Sequence, residues 1–230
     1  MKLEMLSRLN GERAARRAAV IVTDVQSGEQ RLVGQDAIEQ DPLAPLLELH
    51  LTRGKSALVE QDGRQFFLTV QEPPLKVVII GAVHISQALI PMMKQLDLSI
   101  TVVDPRTAFA TPDRFPDVSL LTEWPEAILP SLGFDRYTAL VALTHDPKID
   151  DPAIITALRS QCFYIGALGS RKTHARRIER LTSAGFTEAD LSRIHAPIGL
   201  DIGATSPAEI AVSILAEVVA AFRNERRGPA

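Results

Sequence analysis

After residue 75, short runs of β-branched and apolar residues alternate with stretches of helical periodicity. Strands that are apolar along their whole length are typical of a parallel sheet that is covered by helices on both faces. This alternation leaves few folds open, and it predicts a doubly wound, parallel, Rossmann-like α/β sheet. The predicted strands are "KVVII" (76–80), "SITVV" (99–103), "VSLL" (118–121), "TALVAL" (138–143) and "CFYIG" (162–166).

The pattern changes at "EPP" (72–74), where two consecutive prolines disfavour both helix and sheet. Before this point lie the strand-like run "AVIVT" (19–23) and a predicted β-hairpin, "SALVE" and "FFLTV", around the turn Asp62-Gly63. Between them, "DPLAPLLELHLTRG" predicts a helix that ends at Gly54. We therefore predict two domains, a small α+β domain at residues 1–72 and a Rossmann-like domain at residues 75–230.

Charge and composition exclude several classes of partner and location. The net charge of −3 provides no electrostatic basis for binding nucleic acid or anionic membranes. No run approaches the roughly 18 apolar residues of a membrane span, and the N-terminus lacks the apolar core of a secretory signal. The lone Cys162 cannot form an internal disulfide, as is typical of a reducing compartment. We expect a cytoplasmic protein that binds neither nucleic acid nor membrane.

The first predicted strand leads into a glycine turn that departs from the dinucleotide-binding fingerprint. The pattern G-x-G-x-x-G would place glycines at 81, 83 and 86, but this chain has Val83 and Ser86. The second glycine lets a pyrophosphate approach the backbone, so Val83 argues against NAD(P) binding. Gly81 still provides the tight turn, and the amides of the following helix can attract an anion. His84 either points into the same crevice or caps that helix.

Asp104 ends the second predicted strand. In dinucleotide-binding domains an acid at about this distance from the glycine turn contacts a ribose hydroxyl. The alternative is that Asp104 and Arg106 belong only to a turn that ends the strand. Sequence alone favours neither interpretation, and both residues are candidates for ligand binding.

The segment "THDPKIDDP" (144–152) follows the fourth predicted strand. In a doubly wound sheet the carboxyl ends of strands one and four border the ligand crevice. His145 and Asp146 are therefore predicted to lie opposite Gly81, where a histidine can donate a proton to a bound group or contact it. A turn stabilised by aspartates is the alternative, and a metal site completed by Asp150 is a weaker one.

A second glycine-rich turn, "YIGALGSRKTHARR", follows the fifth predicted strand. Ser170 is placed to cap the next helix, and basic residues crowd its first turns. Cations at a helix N-terminus oppose the macrodipole unless an anion compensates them. For Arg176 and Arg177 we prefer a solvated basic face. The predicted anion-binding residues of this segment are Gly166, Gly169, Ser170, Arg171 and Lys172.

The segment "APIGLDIGATSPAEIAVSILAE" (196–217) precedes and begins the last predicted helix. Ser206-Pro207-Ala208-Glu209 is a capping box with proline at the first helical position. Two glycines, at 199 and 203, bracket Asp201, which indicates a special backbone path and not a generic loop. Asp201 is accordingly a candidate ligand-binding residue.

In this order, "VVIIGAVHIS", "TVVDPR", "RFPD", "LTHDPKID", "YIGALGSRKT" and "APIGLDIGATSPAEIAVSILAE" resemble the XdhC/CoxI family, over about residues 75–220. Members are accessory factors of xanthine dehydrogenase and related molybdenum hydroxylases. The resemblance implies a protein that binds molybdenum cofactor as cargo, assists its sulfuration and inserts it into a molybdenum hydroxylase apoenzyme. A cysteine desulfurase is the second implied partner, and we expect a homodimer. The family usually has glycine where this chain has Val83, and residues 1–72 lack the family's cysteine-containing loop.

The preferred interpretation is thus a cofactor chaperone without catalytic residues or metal ligands of its own. Molybdopterin carries a terminal phosphate monoester, which can use helix N-termini without the second glycine that a pyrophosphate requires. The alternatives are an NAD(P)-dependent oxidoreductase with a degenerate fingerprint and a nucleotide- or redox-sensing regulatory module. The candidate cofactor-binding residues are Gly81, His84, Asp104, Arg106, His145, Asp146, Gly166, Gly169, Ser170, Arg171, Lys172 and Asp201.

Overall fold

The computed structural model describes residues 2–226, and the chain divides into two compact units. One unit contains the residues up to Pro73 together with those from Arg223 onward, and the other spans Pro74–Phe222. The domains expected at residues 1–72 and 75–230 stay a prediction, and residues 227–230 lie outside the described part of the chain.

The first unit is built on a four-stranded antiparallel sheet with the strand order β2-β1-β4-β3. The predicted hairpin is confirmed, since Gln61 pairs with Arg64 around the Asp62-Gly63 turn. The predicted helix also ends at Gly54, which takes a left-handed conformation with φ of +61°. The elements are α1 (Leu3–Ala14), β1 (Ala19–Asp24), β2 (Gln30–Gly34), a 3-10 helix (Gln35–Gln40), α2 (Ala44–Arg53), β3 (Ala57–Gln61) and β4 (Arg64–Gln71).

The second unit contains a six-stranded parallel sheet in the order β10-β9-β8-β5-β6-β7. This is the usual strand order of a Rossmann domain, so the predicted doubly wound fold is confirmed. Its strands are β5 (Lys76–Ile80), β6 (Ser99–Val103), β7 (Ser119–Leu121), β8 (Thr138–Ala142), β9 (Tyr164–Ala167) and β10 (Ile194–His195). Its helices are α3 (His84–Lys94), α4 (Pro125–Leu132), α5 (Pro147–Leu158), α6 (Arg171–Ser183), α7 (Glu188–Leu191) and α8 (Pro207–Glu225).

The two central strands, β5 and β8, are buried along their entire length. Because helices cover both faces of the sheet, these strands have no polar face and read as continuous apolar runs. The chain continues from β5 to β6 and β7 on one side, and then crosses to β8 on the other side. The order therefore reverses between β5 and β8, and a crevice opens beyond their carboxyl ends at such a point.

The last helix begins with the predicted capping box. The Ser206 hydroxyl accepts from the Glu209 amide, and the Glu209 carboxylate accepts from the amides of Thr205 and Ser206. These hydrogen bonds lower the pKa of Glu209 to about 2. None of the helices in residues 2–226 is both long and apolar enough to cross a membrane.

Candidate functional site

The turn after β5 packs directly against the turn after β8. Gly81 has a φ of +117°, and a Cβ atom at this position would lie 3.0 Å from Thr144 Cγ2 and 3.4 Å from the Thr144 amide nitrogen. Glycine is required here both by the backbone conformation and by this close approach. The structure thus brings the "GAVHIS" and "THDPKID" segments together at the carboxyl edge of the sheet.

Asp104, at the end of β6, is fully buried and its carboxylate is occupied within the protein. It accepts hydrogen bonds from the Ala82 amide at 2.8 Å and from the Arg106 amide and guanidinium at 2.7–2.9 Å. Burial by itself would raise the pKa of Asp104, but the hydrogen bonds from Arg106 and Ala82 outweigh it and hold the pKa below its usual value. Asp104 therefore braces the Gly81 turn, and its direct contact with a ribose stays a prediction.

The amide at the position of the missing second glycine is also occupied. The Val83 N–H donates to Ser86 Oγ at 2.9 Å, and the Ser86 hydroxyl donates back to the Val83 carbonyl at 2.8 Å. Ser86 is fully buried, so its side chain closes the start of α3 from inside. Val83 holds the N-cap position, and His84 is the exposed first residue of the helix.

The turn after β8 is organised by Asp150, which lies in the first turn of α5. Its carboxylate accepts from the Thr144 hydroxyl at 2.7 Å, from the Thr144 amide at 3.3 Å and from the His145 amide at 3.0 Å. Burial raises the pKa of Asp150 to about 6. Asp146 caps α5 by accepting from the Lys148 amide at 2.9 Å. The turn stabilised by aspartates is thus present, with Asp150 as its central residue.

His145 stands at the top of this turn with a φ of +62°, a left-handed conformation that is uncommon outside glycine. Its imidazole is exposed. Partial burial and the nearby positive charge of Arg177 lower the pKa of His145, so the neutral ring is favoured. A neutral imidazole can both donate and accept a hydrogen bond.

The second glycine-rich turn differs from the expectation at Gly166, which lies inside the buried strand β9. A Cβ atom at Gly166 would lie 2.5 Å from both Ile198 Cδ1 and Tyr164 Oη, so this glycine makes room for packing within the unit. Gly169 forms the turn itself, with a φ of +139°. Ser170 caps α6 as predicted, since its hydroxyl accepts from the Thr173 amide at 3.2 Å.

The basic residues of α6 divide into exposed and buried ones. Arg171, Lys172 and Arg176 are exposed, and within residues 2–226 the side chains of Arg171 and Lys172 have no hydrogen-bond or ion-pair partner. For Arg177, however, the expected solvated face is wrong, because its side chain is only 2% exposed. Arg177 lies one helical turn before the buried Leu181, and this spacing is the signal that could have placed it on the inner face.

The segment before α8 follows the fixed backbone path that its glycines predict. Gly199 has a φ of +93°, and a Cβ atom there would lie 2.3 Å from Ser213 Oγ. The Glu217 carboxylate, which sequence reasoning missed, accepts from the Gly199 amide at 2.8 Å, from the Tyr164 hydroxyl at 2.6 Å and from His195 Nδ1 at 3.1 Å. This network fixes the loop, while Asp201 remains exposed and has no hydrogen bond to the crevice among the described residues.

Metal-ligating residues do not gather in the part of the chain that the structure describes. No group of three or more His, Cys, Asp or Glu side chains is placed there to hold a metal ion. Cys162 is buried, and its burial raises the pKa of the thiol to about 12, so the thiolate form is disfavoured. The chemistry that the site offers is therefore hydrogen bonding and positive charge.

Comparison with known proteins identifies the family to which this chain belongs. The family model of the XdhC Rossmann domain matches residues 77–218. A probable xanthine dehydrogenase component of Bacillus subtilis (strain 168) is 33% identical over 180 residues, which cover 77% of this chain and 52% of the relative. The molybdenum cofactor insertion chaperone PaoD of Escherichia coli (strain K12) is 36% identical over 88 residues, 38% of this chain and 28% of the relative. The chain thus spans about half or less of these relatives.

A solved structure shares the fold at a greater distance. The crystal structure of a xanthine dehydrogenase from Bacillus halodurans matches with a TM-score of 0.68 and 20% sequence identity. The match covers 99% of this chain and 66% of that chain.

Proposed function

We propose that this chain, which belongs to the XdhC family, binds molybdenum cofactor and delivers it to a xanthine dehydrogenase-like molybdenum hydroxylase. The relatives named for xanthine dehydrogenase and for molybdenum cofactor insertion support this role. The proposal includes assistance with sulfuration by a cysteine desulfurase, which rests on the family resemblance, and a homodimeric assembly.

One observation carries the choice of ligand class: the α6 side of the crevice offers unpartnered cations, while the two amides that follow Gly81 are already bonded within the protein. On the β5 side, the amides of Ala82 and Val83 are already bonded to Asp104 and Ser86. On the α6 side, the cations Arg171 and Lys172 crowd the positive end of a helix without acidic partners in residues 2–226. This arrangement suits a compact terminal phosphate better than the extended pyrophosphate of a dinucleotide.

Each candidate residue then receives a role. Gly169, Ser170, Arg171 and Lys172 bind the phosphate of the cofactor, while His145 and Asp146 contact and orient the remainder of the molecule across the crevice from Gly81. Asp104, Arg106 and Gly166 act as positioning residues, because their side chains or their space are already used within the protein. His84 and Asp201 are exposed and contact ligand or client only at the rim.

The same observations weigh against the two other interpretations. A ribose-binding acid, on which both a dehydrogenase and a nucleotide sensor would depend, has its carboxylate buried against Arg106. A pyrophosphate would meet the branched side chain of Val83.

Native mass spectrometry tests the function directly. The protein is mixed with molybdenum cofactor and, separately, with NAD(H) and NADP(H). We expect a stable complex with the first ligand alone. Binding of a dinucleotide without binding of the cofactor would contradict the proposal.

Delivery is tested by the activity that an apo molybdenum hydroxylase recovers from the loaded protein. We expect His145→Ala to reduce this recovery severalfold without unfolding the chain, since the imidazole is exposed and lies in a turn. Lys148→Ala, a change at an exposed residue in the first turn of α5, is the matched control. Recovery at the normal rate with His145→Ala would remove His145 from the site.

A further inference from the structure

Arg177 is the most deeply buried cation within residues 2–226. It lies in the second turn of α6, and its Nη2 donates to the Leu168 carbonyl at 3.1 Å. Leu168 precedes the Ser170 cap, so the guanidinium reaches back along the helix toward its N-terminus, as long side chains on helices do. Its Nε and Nη1 atoms are closed to solvent and have no hydrogen-bond partner within residues 2–226.

The acidic neighbours of Arg177 are engaged elsewhere. Asp151 Oδ1 lies 3.8 Å from Arg177 Nε, too far for a hydrogen bond, and the Asp151 carboxylate is held by two nitrogens of Arg180 at 2.5 and 3.1 Å. Asp150 accepts hydrogen bonds from the Thr144 hydroxyl and from the Thr144 and His145 amides. The charges of Asp150 and Asp151 act on Arg177, but its Nε and Nη1 atoms donate no hydrogen bond to either carboxylate.

A second buried donor or acceptor lies beside it. His174 is one turn before Arg177 on the same face of α6, and its Nδ1 is likewise buried without a partner among the described residues. Residues three apart on a helix are neighbours, so the two side chains lie close together, and burial and the charge of Arg177 lower the pKa of His174. Leaving buried polar groups unpaired is costly, and a buried cation costs most, so proteins normally provide them with a partner.

The start of α6 adds two free backbone donors. The amides of Arg171 and Lys172 have no hydrogen-bond partner in the described part of the chain, while those of Thr173 and His174 are bonded to Ser170. Free amides at a helix N-terminus favour an anion. The unpartnered side chains and the free amides belong to the same two turns of one helix.

We propose that Arg177 and His174 form the buried half of an oxyanion subsite at the start of α6, which takes the terminal phosphate monoester of the ligand. The exposed half consists of the Arg171 and Lys172 amides and side chains. The subsite deepens the function proposed above and rests on it for the identity of the ligand. Because the Arg177 donors are closed to solvent, the proposal requires the turn between β9 and α6 to shift when the anion binds.

Inorganic phosphate is the probe, titrated by calorimetry at constant ionic strength with chloride as the balancing anion. Arg177→Met keeps an unbranched but shorter side chain and removes the guanidinium with its charge, and Arg176→Met makes the same change at an exposed neighbour on the same helix. We expect Arg177→Met to weaken phosphate binding at least about tenfold and Arg176→Met to change it less than about twofold. Equal affinity of the unmodified protein and Arg177→Met would overturn the subsite, and so would heats that chloride reproduces.

His174→Leu keeps the test open if Arg177→Met does not fold. Loss of the imidazole partner is expected to weaken phosphate binding about fivefold, and no change would remove His174 from the subsite. Native mass spectrometry with molybdenum cofactor separates the two proposals. Equal binding of cofactor by the unmodified protein and Arg177→Met would contradict the proposed subsite but not the proposed function. Phosphate binding that depends on Arg177, without any binding of cofactor, would contradict the proposed function but not the anion subsite.

Discussion

Val83 and Ser86 differ from a dinucleotide-binding loop in more than the size of their side chains. The Ser86 hydroxyl accepts from the Val83 amide, so the hydrogen bond that a pyrophosphate would receive there is already made. We expect no measurable affinity for NAD(H) or NADP(H) in calorimetry. Val83→Gly should recover weak binding at most, because Asp104 remains bonded to Arg106. Micromolar affinity in the unmodified protein would show that the loop opens for dinucleotides.

A second prediction at the scale of single residues concerns Asp150 and the pH dependence of the free energy of unfolding. Burial raises its pKa from the usual 3.8 to about 6, so the folded state binds a proton more tightly than the unfolded state. The stability associated with this group is therefore complete below pH 3.8 and is lost as the pH rises through about 6. The shift corresponds to about 3 kcal/mol.

Comparison with Asp150→Asn isolates this contribution from other titrating groups. Relative to the variant, the free energy of unfolding of the unmodified protein should fall by about 3 kcal/mol between about pH 3 and pH 7, measured by urea denaturation at each pH. A difference that stays constant across this range would mean that Asp150 remains ionised in the folded protein.

Among the elements, the loop before α8 depends on one close contact. Gly199 and Gly185 share a φ of +93°, but an added Cβ atom would lie 2.3 Å from Ser213 Oγ at Gly199 and meets nothing within 4 Å at Gly185. Gly185→Ala therefore reports the backbone strain alone, about 1–3 kcal/mol. Gly199→Ala should lower the free energy of unfolding by about 2 kcal/mol more, since it also disturbs the packing against α8. Equal losses in urea denaturation would mean that Ser213 turns away without cost.

The elements also show what sequence patterns can predict. Continuous apolar runs identified β5, β6 and β8, because a strand buried on both faces leaves no other pattern. The two-residue strand β10 and the polar β2 carry too little periodicity to be recognised. At the site, positions after strand ends placed Thr144 beside Gly81. The hydrogen bonds from the Ala82 amide to Asp104 and from the Tyr164 hydroxyl to Glu217 join segments far apart in the chain, which local spacing does not encode.

For the whole molecule, the division into two compact units yields a prediction about folding. The unit Pro74–Phe222 contains the complete parallel sheet and every candidate ligand-binding residue. A fragment of residues 74–222 is therefore expected to unfold cooperatively and to bind phosphate with the affinity of the full chain. Thermal unfolding by circular dichroism and calorimetry test these expectations. A fragment that lacks a cooperative transition would show that the remaining residues are needed for this unit to fold.

The β5 side and the α6 side of the crevice differ in how many of their polar groups already have hydrogen-bond partners within the protein. This difference bears on the proposed role as a cofactor carrier. On the β5 side, Asp104 and Ser86 already accept hydrogen bonds from the amides that follow Gly81. This loop therefore keeps its conformation without bound cofactor. In the proposed subsite the α6 side, where Arg177 Nε and Nη1 have no hydrogen-bond partner within residues 2–226, would hold the cofactor by one end. A cofactor bound at one end leaves its other end accessible to the recipient enzyme. Handover can then proceed by stepwise exchange, in which the recipient gains contacts before the carrier gives up its last one.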